Sequence, residues 1–249
     1  MIILCTNDDG LHARGIAISA SICAEIGEVW SVAPDREQSA TSHSLTLYRP
    51  LRPTQRGERR WEVDGTPTDS VLLALSALLP RRPDVVVSGI NHGPNMGEDV
   101  LYSGTVAAAM EALSLGVPAI ALSYAGRDLE HLESYRESLT RLLRSIFQYH
   151  PFPKDTLLNV NIPPIPAKDL KGVRVTTLGS RVYEESIQRS EDPWGRPIYW
   201  IGGGRISWSG DEMSDFQAIA DGCISVTPLH LDLTDYSDLD RVRSWDLKA

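Results

Sequence analysis

Two adjacent carboxylates, Asp8 and Asp9, follow a short apolar run at the start of the chain. Neighbouring negative charges at the end of a buried strand repel each other, which raises the pKa of one or destabilises the fold. A divalent cation offsets that repulsion, and Mg²⁺ and Mn²⁺ prefer oxygen ligands. The pair therefore indicates a cation site. The alternative is that it only forms a turn or caps the next helix.

Two further oxygen-bearing side chains fall where neighbouring strands are predicted to end. Ser39 follows the apolar run at 28–33, and Asn91 follows the run at 84–88. In an open parallel sheet the carboxyl ends of the strands meet at one edge, where ligands bind. We therefore predict that Ser39 and Asn91 join the acidic pair as ligands of one divalent cation per subunit, Mg²⁺ or Mn²⁺.

A phosphate site is predicted next to this cation. Ser103, Gly104 and Thr105 open an Ala-rich segment that is predicted to be a helix over 103–115. The free backbone N–H groups and dipole of a helix N-terminus attract anions, and the two hydroxyls add donors. Asn95, in the glycine-punctuated loop before this helix, supplies another donor. The alternative is that Ser103 only caps the helix and Asn95 only stabilises a turn.

Strands and helices alternate over the first 160 residues, which favours a mostly parallel, doubly wound sheet. Strands are predicted at 2–6, 28–33, 84–88, 118–123 and 157–161, and helices at 15–26, 70–79, 103–115 and 130–149. Thr66, Pro67 and Asp69 form a helix start, and a hairpin around Gly57 is predicted to join 45–51 to 61–63. We predict a Rossmann-like α/β fold in one domain, residues 1–249.

The last third of the chain has a different pattern. Strands are predicted at 173–177, 182–187, 197–201 and 223–229 without helices between them, and a final helix after the acidic stretch 232–240. Gly202 to Gly204 reads as a flexible turn. Trp194, Trp200 and Trp208 lie in a predicted oligomerisation arm at about 180–215, with a C-terminal segment at 230–249. These aromatic rings pack either on another subunit or on the chain's own sheet.

The composition argues against several classes of function. The net charge is −9 and no dense block of Lys or Arg occurs, so stable nucleic-acid binding is not expected. Cys5, Cys23 and Cys223 show no paired or zinc-type spacing, which indicates buried, reduced thiols. The N-terminus lacks a signal peptide, and the longest apolar run, 71–80, is too short to span a bilayer. A cytoplasmic protein without membrane contact is the expectation.

Around the candidate site residues the sequence resembles the SurE family, the stationary-phase survival proteins that are 5'/3'-nucleotidases. Several stretches carry the resemblance, in the family's order along nearly the whole chain. They are TNDDG at 6–10, APDREQSATSHSLTL at 33–47, DGTPTD at 64–69, VSGINHGPN at 87–95, YSGTV at 102–106 and SVTPL at 225–229. One departure is Cys223, where an aromatic residue is expected, and it concerns the packing of the last strand.

The resemblance implies a phosphoric monoester hydrolase that converts nucleoside 5'-monophosphates to nucleoside and phosphate. It implies a divalent metal held by Asp8, Asp9, Ser39 and Asn91, and a phosphate contacted by Asn95 and the 103–105 turn. It also implies an arm and a C-terminal segment exchanged between subunits of a homodimer or homotetramer. Some family members act on 3'-nucleotides and short polyphosphate as well.

The expected chemistry is in-line attack of water on the phosphoryl group, with Asp8 or Asp9 as the catalytic base. A covalent aspartyl-phosphate is a rival mechanism that usually needs a nearby lysine. The lysines of this chain are Lys154, Lys168, Lys171 and Lys248, and none follows a predicted strand beside Asp8. Two non-enzymatic alternatives are a receiver-type signalling module and a protein that binds nucleotides without hydrolysing them.

Overall fold

The computed structural model describes residues 1–126, 128–149, 152–153, 155–184, 187–201 and 205–247. The predicted turn at Gly202 to Gly204 and the lysines Lys154 and Lys248 lie outside these residues. The strands and helices are β1 Ile2–Thr6, α1 Arg14–Ala24, β2 Glu28–Pro34, β3 Pro53–Gly57, β4 Arg60–Val63, α2 Pro67–Leu73, β5 Val85–His92, α3 Gly104–Ser114, β6 Ala119–Tyr124, α4 Arg136–Gln148, β7 Thr156–Ile162, β8 Val173–Val175, β9 Ser180–Glu184, β10 Ile187–Glu191, β11 Pro197–Ile201, β12 Arg205–Ser209, α5 Asp215–Ala220, β13 Ile224–His230 and α6 Leu239–Arg243.

A nine-stranded, mostly parallel sheet organises the fold, in the order β3-β4-β2-β1-β5-β6-β7-β13-β8. Inside the sheet, β1 pairs in parallel with β2 on one side and with β5 on the other, so the chain winds outward in both directions. β6 and β7 continue in parallel, whereas β3–β4 and β7–β13 are antiparallel pairs. The predicted doubly wound, mostly parallel α/β fold is confirmed.

Helices cover both faces of this sheet, because successive residues of the buried strands point to opposite sides. Ile3 and Cys5 face a core formed with α1 and α4, whereas Leu4 faces a second core formed with α2 and α3. Cys5, like Cys23 and Cys223, is buried and free of disulfides, as the sequence predicts. No helix among the described residues is long and apolar enough to cross a membrane.

β5 is longer than predicted, and this changes the setting of Asn91. The predicted strand ends at residue 88, but β5 runs to His92. An irregularity between Ser88 and Asn91 shifts its register against β6, after which Asn91 pairs with Ser123. Gly89 has a φ of +125° there, a backbone conformation that glycine adopts readily and other residues rarely adopt. Asn91 therefore lies on a strand and not on the loop that follows it.

The predicted helix start at Thr66 is confirmed as a capping box. The hydroxyl of Thr66 accepts from the Asp69 N–H at 3.1 Å, and the Asp69 carboxylate accepts from the Thr66 N–H at 2.8 Å. Pro67 occupies the first helical position, where no intrahelical donor is needed. The helix continues as a π-helical turn, Ala74–Leu78, so the predicted helical segment 70–79 is nearly complete.

The predicted hairpin is only half correct. Gly57 lies at its turn and β4 matches the predicted second strand, but the first strand is β3 and not 45–51. One backbone donor of 45–51 is satisfied by a side chain instead: the Thr46 N–H donates to Asp69 Oδ1 at 2.9 Å. A segment whose backbone donors are satisfied in this way need not join a sheet.

The last third contains elements that the sequence pattern does not predict. The sequence pattern predicts no helix there before residue 232, yet α5 begins after Ser214, whose hydroxyl accepts from the Gln217 N–H. β12 is also not predicted; it pairs antiparallel with β9, while β10 pairs with β11, as two separate ribbons. The short length of α5 explains the error, because a six-residue helix carries little periodic signal.

The three tryptophans of this region do not share one environment. Trp194 and Trp200, on the β10–β11 ribbon and its turn, are 77% and 64% exposed. The ring of Trp208 stacks on Phe216, with the ring centroids 5.2 Å apart. Trp208 therefore packs on its own chain, whereas Trp194 and Trp200 offer aromatic surface to solvent.

We expect Gly15→Ala to destabilise the protein. A Cβ at Gly15 would lie 1.9 Å from the carbonyl oxygen of Ile90, directly before Asn91. Overpacking costs about 1–3 kcal/mol and outweighs the roughly 1 kcal/mol that Gly→Ala gains in a helix. Urea unfolding measures the effect, with Gly57→Ala as the control, since the nearest atom there is 3.5 Å away. Equal unfolding midpoints for the two variants would contradict the close approach.

Candidate active site

Asp8 is a buried carboxylate at the end of β1, with an exposed fraction of 4%. The hydroxyl of Thr105 donates to Asp8 Oδ1, which places the carboxylate at the N-terminus of α3. Burial raises the pKa of Asp8 to about 6; the bond from Thr105 opposes this rise, and the charge of Asp9 adds to it. Asp8 is therefore held in a place that disfavours its charge unless a cation is near.

Asp9 is more accessible and lies among other charged groups. Its Oδ2 accepts from the backbone N–H of His92, at the end of β5, over 3.3 Å. Burial raises the pKa of Asp9, the His92 N–H lowers it, and the charge of Glu37 raises it again. Carboxylates thus dominate the electrostatics of this sheet edge, and the sequence prediction did not include Glu37 among them.

Ser39 and Asn91 each present an oxygen near the acidic pair. The loop that carries Ser39 is fastened beneath the site, because the Gln38 N–H donates to the Asp8 carbonyl at 2.7 Å. The Ser39 hydroxyl donates its proton to Glu37 Oε1 at 2.7 Å, so its lone pairs remain available. The Asn91 amide nitrogen donates to the Gly93 carbonyl at 2.9 Å, which leaves the amide oxygen available to bind a cation.

The N-terminus of α3 is shared between Asp8 and any bound anion. Ser103 caps the helix by accepting from the Val106 N–H at 3.1 Å, and its own hydroxyl proton is left to donate. Gly104 allows the close approach, since a Cβ there would lie 2.8 Å from the Asp8 Cβ. Thr105, predicted as a phosphate contact, directs its hydroxyl to Asp8. The geometry of the 103–105 turn is therefore compatible with helix capping and with anion binding.

Asn95 is held from below by side chains of the sheet. Its backbone N–H donates to Asn161 Oδ1 at 2.9 Å, and its carbonyl accepts from Asn159 and Asn161 at 2.8 and 2.9 Å. Its side-chain amide donates one N–H to Ser123 Oγ at 2.7 Å. A second amide N–H remains for a ligand, because the amide carries two.

These groups surround one cavity of about 830 Å³ at the carboxyl edge of the sheet. Five of the predicted residues line it, and Asp9, Gly104 and Thr105 lie against the lining through the contacts given above. The lining residues are Asp8, Ser39, Ala40, Asn91, His92, Gly93, Pro94, Asn95, Asp99, Tyr102, Ser103 and Ile201. The predicted cation and phosphate residues therefore meet in one place.

Sequence reasoning missed the polar residues beneath the cavity. Ser123, Asn159 and Asn161 are fully buried on β6 and β7. A signal was present, since two asparagines with one residue between them interrupt the apolar strand LLNVNI. Alternate residues share one face of a strand, so this spacing indicates a polar patch on a buried face.

Any cation bound at this sheet edge would have mixed oxygen donors. Within the described ranges, no three His, Cys, Asp or Glu side chains cluster in a way that could hold a metal ion. A site at Asp8 and Asp9 would therefore depend on the neutral oxygens of Ser39 and Asn91. His43, which also lies in this part of the sequence, is paired with Glu111 at 2.9 Å.

Fold and site together define an α/β protein in which an acidic sheet edge and a helix N-terminus share one cavity. The family model described as Survival protein SurE matches residues 3–185 of the chain. The chain belongs to the SurE family, and the resemblance drawn from its motifs is confirmed.

Relatives match over nearly the full length. A protein from Gemmatimonas aurantiaca named 5'-nucleotidase SurE is 59% identical over 248 residues, 98% of each chain. A protein of the same name from Geotalea uraniireducens is 49% identical over 247 residues, 99% of this chain and 100% of its own. The crystal structure of a SurE protein from Aquifex aeolicus is similar with a TM-score of 0.87, at 40% identity over 98% of each chain.

We expect the burial of Asp8 to make the metal-free protein less stable as pH rises. The pKa of Asp8 is about 6 in the folded state, against 3.8 for an unperturbed aspartate. Between these values Asp8 binds more protons in the folded state than in the unfolded state, so its contribution to stability falls as pH rises and the loss is complete above about 6. The penalty is of the order of 3 kcal/mol.

The measurement is urea unfolding in EDTA at several pH values, for the wild type and Asp8→Asn. The difference between the two proteins should grow in favour of the variant between about pH 4 and 6, and Mn²⁺ at pH 7.5 should stabilise only the wild type. A difference that stays constant with pH would contradict the burial penalty.

Proposed function

We propose that this protein is a metal-dependent 5'-nucleotidase that hydrolyses nucleoside 5'-monophosphates to nucleoside and phosphate. The observation that supports this most strongly is the position of Asp8, which links the proposed cation site to the proposed phosphate site. It stands beside Asp9 on the cation side and accepts from Thr105 at the helix N-terminus on the phosphate side. The full-length relatives named 5'-nucleotidase SurE support the assignment.

The donor set fits one divalent cation per subunit, Mg²⁺ or Mn²⁺. Asp8 and Asp9 supply charge, and Ser39 and Asn91 supply neutral oxygens of the kind that hard cations prefer. When bound, such a cation lowers the pKa of a water and neutralises charge on the phosphoryl group. Burial raises the pKa of both Asp8 and Asp9, and the positive charge of a bound cation would oppose that rise.

The residues of the chain orient the phosphate and handle the proton. The free amide N–H of Asn95, the hydroxyl of Ser103 and the backbone of Gly104 and Thr105 contact the phosphate oxygens. Either Asp8 or Asp9 accepts a proton from the attacking water. An acidic chain with a net charge of −9 repels a dianionic substrate, so phosphate binding depends on these local donors and on the cation.

We further propose that the protein is cytoplasmic and works as a homodimer or homotetramer. The arm at about 180–215 and the C-terminal segment at 230–249 would make the subunit contacts. Trp194, Trp200 and Ile201 support this, since Ile201 is 92% exposed at the end of the same ribbon. Activity on 3'-monophosphates and short polyphosphate would use the same phosphate site, and no stable nucleic-acid or membrane partner is proposed.

We expect Asp9→Asn to reduce kcat for AMP hydrolysis by at least ~100-fold, because it removes a charged ligand and a candidate base. Phosphate release from AMP and GMP with Mg²⁺, Mn²⁺ or excess EDTA is the measurement. Glu58→Gln, which changes a carboxylate that is 90% exposed at the turn between β3 and β4, is the control and should leave the rate unchanged.

Full turnover in excess EDTA would contradict the metal dependence. If the protein bound nucleotide tightly but released no phosphate with either Mg²⁺ or Mn²⁺, it would instead belong to the class of nucleotide-binding proteins.

A further inference from the structure

We propose that Asn161 is a positioning residue for phosphate hydrolysis, which acts by holding Asn95 in place from beneath the cavity. The proposal rests on the nucleotidase function, because it assigns a role within that site. Asn161 is fully buried on β7 and is not among the residues that line the cavity, whereas Asn95, to which it bonds, does line it.

The loop that carries Asn95 has backbone anchors near its two ends. The Gly93 N–H donates to the Tyr124 carbonyl at 3.0 Å, and the Gly97 N–H donates to Asp215 Oδ2 at 2.9 Å. Between these anchors the chain is no longer part of the sheet. Its conformation at Asn95 therefore depends on other partners.

Asn161 provides both partners for the backbone of Asn95 with one amide group. Its oxygen accepts from the Asn95 N–H and its nitrogen donates to the Asn95 carbonyl, each at 2.9 Å. This is the two-bond pairing that a neighbouring strand would give. Asn159 adds a bond to the same carbonyl, and Ser123 accepts from the side-chain amide of Asn95.

Asparagine suits this position better than the residues closest to it in shape. Aspartate would keep the acceptor but would lose the donor to the Asn95 carbonyl, and leucine would offer neither. Asn161 has no solvent access, so water cannot replace a missing bond there without a rearrangement. Loss of the amide should therefore release the loop and reduce its order.

The network ties both phosphate-binding segments to the same strands. Ser123 and Asn161 are direct partners across β6 and β7, and α3 packs on β5, β6 and β7. Asn95 and Ser103 thus share one support. The charged cation ligands Asp8 and Asp9 instead follow β1. A defect at Asn161 should consequently weaken phosphate binding and leave cation binding intact.

A double-mutant cycle tests the proposal, with Asn95→Ala, Asn161→Ala and the double variant in the full-length protein. Three quantities are measured: KM and kcat for AMP with Mn²⁺, inhibition by inorganic phosphate, and Mn²⁺ affinity by calorimetry. Asn161→Asp is a second variant of nearly unchanged volume. Ser225→Ala is the matched control, since Ser225 is buried opposite Asn161 on β13 and bonds to Thr176 at 2.8 Å.

We expect Asn161→Ala and Asn161→Asp to raise KM and the phosphate inhibition constant at least ~10-fold, with Mn²⁺ affinity changed by less than about 2-fold. The double variant should bind phosphate no more weakly than Asn95→Ala, because Asn161 acts through Asn95. Ser225→Ala should match the wild type.

Additive losses in the double variant, an equal loss in Ser225→Ala, or a parallel loss of Mn²⁺ affinity would overturn the positioning role. A wild type that releases no phosphate from AMP would overturn the proposed function instead. Calorimetry with inorganic phosphate on the Mn²⁺-loaded variants would then still decide the role of Asn161.

Discussion

The burial of a carboxylate beside a second carboxylate is the constraint on which the site depends. Asp8 is almost inaccessible at the end of β1, next to Asp9, and burial raises its pKa to about 6. The fold tolerates this because Thr105 donates to it and the dipole of α3 ends there. A buried pair of this kind destabilises the fold, and a cation bound there would offset the destabilisation.

The order of the strands in the sheet places the buried acidic pair at the edge of a cavity. β1 and β5 are parallel neighbours, so their ends bring the acidic pair to the side of Asn91. β6 and β7 lie further along and carry the buried polar side chains beneath Asn95. α3 spans these strands and begins at Gly104, where the absence of a side chain lets the helix approach Asp8. The acidic pair thus follows β1, whereas Asn95 is supported by β6 and β7 of the same sheet.

Much of this could be predicted from local sequence. Buried apolar runs ending in polar residues identified the edge, and the capping residues at Thr66 gave a helix start with a mechanism. The register shift in β5 could not be predicted, because it arises from pairing with β6 after Gly89. The hydrogen bonds between Asn161 and Asn95 could not be predicted either, since the two residues are 66 apart in the sequence. Long-range pairing of this kind leaves only a weak local pattern.

The most direct measurement of the central claim is anomalous diffraction at the manganese edge from crystals of the protein grown with Mn²⁺. A single peak per subunit within ligand distance of Asp8, Asp9, Ser39 and Asn91, absent from Asp8→Asn crystals, is the predicted result. A peak at other side chains, or none at this sheet edge in wild-type crystals, would contradict the account.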